Sequence, residues 1–138
     1  KEFKIQQLFD MEFVVLEELN QSLVVFQGSQ PLTNYLKDIG FDTPIWDRAF
    51  SVLNDTYMMD VWLYHHPHII ALACIPTALS LCGGEEMGKW SALFTRWLAD
   101  LTGEESGQNP SNIREEQVWE TSRDILASYD FAKQIGLP

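Results

Sequence analysis

Residues 48–82 read RAFSVLNDTYMMDVWLYHHPHIIALACIPTALSLC and hold two helical patterns joined by a turn at His65-His66-Pro67. The second pattern is the most apolar segment of the chain. From Ile69 to Cys82 its only clearly polar side chains are Thr77 and Ser80. A helix that is apolar all round has no face for solvent, so it belongs inside a fold with other helices packed on it. It falls short of the ~20 apolar residues that a membrane span needs. It is therefore expected to be the central helix of an all-helical domain. Pro67 opens it without cost, because the first helical position has no N–H to lose. Pro76 sits inside it and is expected to kink it near Leu72–Ala73.

Outward from this helix, helical spacing continues in both directions. Residues 4–27 are expected to form one long helix, with Ile5, Leu8, Phe9, Leu16, Leu19, Leu23 and Phe26 at steps of three and four. Val14, Val15, Val24 and Val25 widen its apolar face, which implies contact from more than one side. Gly28-Ser29-Gln30-Pro31 stops it, and a short helix over Leu32, Tyr35, Leu36 and Ile39 ends at Gly40. Thr43 as N-cap and Pro44 at the first position start a third helix. Its stripe is expected to be Trp46, Ala49, Phe50, Leu53 and Tyr57. After Gly83-Gly84, a helix from Glu86 to Leu101 carries Met87, Trp90, Phe94, Trp97 and Leu101. Residues 102–110, TGEESGQNP, read as a loop. A last helix, capped by Ser111 or Asn112 with Glu115 reaching back, buries Val118, Trp119, Ile125, Leu126 and Tyr129 and ends at Gly136. The fold class is all-α: a bundle of five to six helices around one buried helix.

Composition narrows the function. At 138 residues the chain is one domain's length, and 46% hydrophobic with 21% charged residues is a globular balance. A formal net charge of -11 argues against direct binding to nucleic acid or an anionic membrane, whose phosphates it would repel. Cys74 and Cys82 lie ~12 Å apart along one helix, too far to bridge, and read as small buried apolar residues in a reducing compartment. The chain opens Lys1-Glu2-Phe3 without an initiator Met, which reads as a segment of a longer protein.

No catalytic constellation is legible. His65, His66 and His68 fall within four residues split by Pro67. A zinc site needs three or four ligands converging on a point, so these histidines read as a polar helix-start turn. Asp55 and Asp60 point in different directions on one helix and do not form an acid–base pair. Gly83-Gly84 is followed by Glu85-Glu86, which would repel a phosphate. Neither a cofactor nor a metal is expected, and the chain is not expected to be an enzyme.

Four runs carry a resemblance: Asp10–Leu19 (DMEFVVLEEL), Pro31–Gly40 (PLTNYLKDIG), Leu53–Asp60 (LNDTYMMD) and His66–Cys74 (HPHIIALAC). Together they resemble the second cyclin box of the cyclin C family, from about Phe3 to Ala132. Residues 1–138 are then a single C-terminal cyclin box, with the N-terminal box absent. The resemblance implies a non-catalytic regulatory subunit of a transcriptional cyclin-dependent kinase associated with Mediator, located in the nucleus. The kinase would be contacted mainly through the absent first box, and subunits of the Mediator kinase module would dock at a groove between the boxes. Residue by residue, that groove maps onto Phe50, Asn54, Asp55 and Tyr129. The family usually has Trp where this chain has Phe50, which loses an indole N–H donor. Pro76, Gly83-Gly84 and residues 102–110 also depart from the family pattern. The alternative is a stand-alone cyclin-fold adaptor that contacts no kinase. A segment deprived of its first box should expose an apolar patch where that box docked, whereas a stand-alone module should not.

Overall fold

The computed structural model describes residues 5–83, 86–103 and 113–134, apart from the side chains of 86 and 87. Among them there is no strand. The helices are α1 (Ile5–Glu18), α2 (Ser29–Ile39), α3 (Thr43–Thr56), α4 (Val61–Tyr64), α5 (Pro67–Cys82), α6 (Glu86–Thr102) and α7 (Glu115–Gln134).

The architecture follows from α5. Every residue from Ile69 to Leu79 is buried, as an apolar segment without a polar face requires. Helices α2, α3, α6 and α7 each pack against it, and the four-residue α4 touches both α5 and α7. The hydroxyls of buried Thr77 and exposed Ser80 on α5 are both satisfied. The Thr77 hydroxyl donates to the Ala73 carbonyl at 2.8 Å and meets the Ser122 hydroxyl of α7 at 2.9 Å. The Ser80 hydroxyl donates to the Pro76 carbonyl at 2.9 Å. The helix continues unbroken through Pro76. Gly83 then leaves it at φ +60°, in the left-handed region that an L side chain rarely adopts.

The flanking helices bury matching stripes. On α3 these are Ile45, Ala49, Val52, Leu53 and Thr56, with Trp46 and Phe50 half-buried beside them. The stripe is rotated from the expected one, and Tyr57 is exposed, stacked on Trp62 at 4.7 Å. Phe94 and Leu98 of α6 are fully buried, and Phe94 meets Trp119 of α7 edge-on at 6.0 Å. Tyr35 of α2 meets Trp97 of α6 at 5.7 Å. Gly28 joins this bundle to what precedes it. A Cβ there would lie 2.9 Å from the Leu53 side chain and 3.2 Å from Trp62, so the chain approaches more closely than any larger residue allows.

Two expectations about helix ends change. Helix α3 begins on Thr43 itself, so Asp42 holds the N-cap position, and its side chain makes no capping bond. The expected caps at Ser111 or Asn112, and Gly84 and Gly136, lie outside the described residues.

The larger correction concerns residues 5–27. Helix α1 stops at Glu18, not Gln27, and none of its residues is buried. Asn20 and Gln21 take φ of 49° and 60°, turning the chain out of the helix. Asn tolerates this left-handed conformation better than most residues. Residues 23–27, LVVFQ, continue without helical structure, in line with the preference of β-branched and aromatic residues for extended backbone. The apolar face is real, but nothing in the bundle covers it. Phe13 and Phe26 are 73% and 79% exposed.

Candidate functional site

The four residues expected to form a docking site come from α3 and α7, which pack on α5. Phe50 and Asn54 lie one turn apart on α3 and so share a face. Asn54 is exposed at the last turn of the helix, and its backbone carbonyl accepts from the Tyr57 N–H at 3.2 Å. Phe50 is half-buried and stacks on Trp46 at 6.4 Å. Trp46 does not replace the indole donor that Phe50 lacks, because its own N–H donates to the Phe41 carbonyl at 3.0 Å.

Asp55 and Tyr129 are brought together. The Tyr129 hydroxyl donates to the Asp55 carboxylate at 2.6 Å, across 74 residues of sequence. A phenol donating to an ionised carboxylate makes a short, charge-assisted bond. Burial, and then the Asp55 carboxylate, push the Tyr129 phenol above its ordinary range, so it stays protonated and keeps donating. Half-buried Tyr129 thus clamps the end of α3 to α7. Exposed Asn54 lies one position before this bond on α3.

The histidines do not converge. His65 reaches Asp124 of α7 at 3.6 Å, while His66 and His68 stack at 5.6 Å. Burial and then the neighbouring His66 lower the basicity of His68. Among the described residues no cluster of three histidine, cysteine or acidic side chains is arranged to hold a metal. Cys74 is buried and its thiol is pushed up to about 12 by that burial, whereas Cys82 is half-buried. Neither is in a disulfide. No helix among the described residues is long and apolar enough to cross a membrane. Sequence spacing gave no hint of the Asp55–Tyr129 bond, since it depends on how α3 and α7 meet across α5.

The chain is 44% identical to Cyclin-C1-1 of Oryza sativa subsp. japonica over 139 aligned positions, which cover 99% of this chain and 47% of the rice protein. The chain is related to the cyclin C family. Shorter matches agree: 43% identity with Cyclin-C1-2 of Arabidopsis thaliana over 53% of this chain and 29% of that protein. Cyclin-C of Rattus norvegicus is 35% identical over 55% of this chain and 27% of its own length. No family model matches the chain. The chain spans about half the length of the rice protein.

Proposed function

We propose that this chain is the second, C-terminal box of a cyclin C-type regulatory subunit. The first box would correspond to the part of the rice relative that the match leaves out. In this reading residues 1–138 form a single box-bearing unit without catalytic activity or cofactor, acting in the nucleus. The subunit regulates a transcriptional cyclin-dependent kinase associated with Mediator. The kinase is held mainly by the first box, and subunits of the Mediator kinase module dock at the face carrying Phe50, Asn54, Asp55 and Tyr129. The net charge of -11 fits a protein partner better than nucleic acid or an anionic membrane.

The observation that carries this reading is the bare apolar surface of α1 and residues 19–26. Ile5, Phe13, Leu23, Val24, Val25 and Phe26 are all more than two-thirds exposed, more than an isolated soluble module ordinarily leaves open. A preceding box packed on α1 would cover them. The same surface counts against a stand-alone adaptor, which has no such box to supply.

The test compares this chain with a chimera in which the unmatched part of rice Cyclin-C1-1 is joined to it in that protein's own order. Each is used to capture proteins from nuclear extract, followed by mass spectrometry. The chimera should retain a cyclin-dependent kinase and Mediator subunits, and the chain alone little or no kinase. Loss of the kinase from both samples contradicts the reading. In the chimera, Asn54→Ala should lower recovery of Mediator subunits while changing stability by less than about 0.5 kcal/mol, because the side chain is exposed. Unchanged recovery removes Asn54 from the docking face.

A further inference from the structure

A second face of the bundle has the features of a peptide-binding groove, and none of Phe50, Asn54, Asp55 or Tyr129 lines it. Its walls are residues 58–65, around α4, and one side of α7 from Asp124 to Ala132. They enclose about 700 Å³, a volume suited to a few large side chains. Met58, Tyr64 and Phe131 stand on its rim at 92%, 78% and 60% exposure, with half-buried Met59 below. Nothing in the fold requires these groups to be bulky and apolar, since they contribute little to the core.

The charges at this face have one sign. Asp60 and Asp124 line the groove, and no lysine or arginine does. Asp60 has no side-chain partner among the described residues. Asp124 is met by the His65 imidazole at 3.6 Å, and its side chain remains 63% exposed. Flexible, polarisable methionines adapt to varied apolar surfaces, and exposed carboxylates beside them favour a cationic partner. The surrounding protein, at net -11, adds a field of the same sign.

We infer that the groove between residues 58–65 and α7 binds a basic amphipathic segment of a partner protein. Bulky apolar side chains of that segment enter between Met58, Tyr64 and Phe131. Its lysines or arginines face Asp60 and Asp124. The inference does not depend on a missing first box or on the Asp55–Tyr129 face, because every residue it uses belongs to the bundle described above.

The probe is a synthetic helical peptide with leucine at alternating third and fourth positions, lysine elsewhere and one benzophenone group. Its control has glutamate in place of each lysine. Photo-crosslinking to the 138-residue chain should place the label on residues 58–65 and 124–132, and the glutamate peptide should label weakly. The double variant Tyr64→Ala/Phe131→Ala should lose at least about tenfold in affinity, the scale of one or two anchor side chains. Its melting temperature should stay near that of the parent, since both rings are exposed. Phe13→Ala on α1 should leave affinity unchanged. Label confined to α1, equal binding of the two peptides, or an unchanged affinity in the double variant overturns the inference. Concentration-dependent self-association that the double variant abolishes also overturns it, by assigning the groove to a second copy of this chain.

Discussion

Helices α1 and α5 are both rich in apolar residues, yet one is bare and the other is wholly enclosed. In α5 the eleven residues from Ile69 to Leu79 are buried without interruption. In α1 none is buried, although Leu8, Met11, Phe13, Val14 and Val15 are as apolar as their counterparts in α5. The distinction lies in what interrupts the apolar pattern. Beyond His68 in its first turn, the polar groups of α5 are hydroxyls, which satisfy themselves on the preceding turn of the same helix and on Ser122. Helix α1 carries Asp10, Glu12, Glu17 and Glu18, whose charges must stay in water. Such a helix can be covered on one side only, and the bundle built from α2 to α7 offers no surface for that side. The contrast separates an apolar helix that organises its own domain from one that no other helix of the described bundle buries.

The contrast can be attacked from its strongest side. Leu72→Ala in α5 removes a fully buried side chain from a site enclosed on all faces. It should cost about 2–5 kcal/mol in a urea or guanidinium titration. Next is Thr77→Val, which leaves the buried Ser122 hydroxyl without its cross-helix partner. A cost of about 1–3 kcal/mol is expected, and Ser122→Ala added to it should cost less than the sum of the two single changes. An unaltered midpoint for Thr77→Val would mean that the hydroxyl pair does not help to seat α7 on α5.

The clamp between α3 and α7 is more exposed and should matter less. Tyr129→Phe removes the bond to Asp55 and is expected to cost about 0.5–1 kcal/mol near neutral pH. Folding raises the phenol above its ordinary 10.0, so the native state keeps a proton that the unfolded chain loses. The stabilisation is therefore fully present below pH 10 and is lost as pH rises beyond it. The parent should lose stability more steeply than Tyr129→Phe across that alkaline range, read from denaturant midpoints at successive pH values. Smallest of all is Leu8→Ala on α1. In this chain it should shift stability by no more than about 0.5 kcal/mol, because Leu8 is exposed. In the chimera with the unmatched part of the rice relative, the same change should become clearly destabilising.

What was legible in the sequence divides along the same line. The all-helical fold and the central position of α5 could be read directly, because a segment without a polar face has only one place to go. The long helices α6 and α7 were also readable from their three- and four-residue spacing. The stripe of α3 is rotated by about one residue from the one that its large side chains suggest. Trp46, Phe50 and Tyr57 lie beside it, while Ile45, Val52 and Thr56 face the core. The extent of α1 was overestimated because periodicity at Leu19, Leu23 and Phe26 persists through a turn at Asn20–Gln21 that only the backbone reveals. At the candidate site, the family resemblance points to four residues that spacing alone does not single out. Their arrangement could not be read from the sequence, because the Asp55–Tyr129 bond and the groove beside Phe131 depend on how α3, α4 and α7 meet around α5.

Hydrogen–deuterium exchange, run on this chain and on the chimera, tests the central claim most directly. Backbone amides of residues 69–79 should be protected in both proteins, at the level of global unfolding. Those of α1 should exchange rapidly in the isolated chain and become protected in the chimera. Protection of α1 that is already high in the isolated chain, or that fails to rise in the chimera, would contradict the claim that its apolar face is built to receive another part of a longer cyclin.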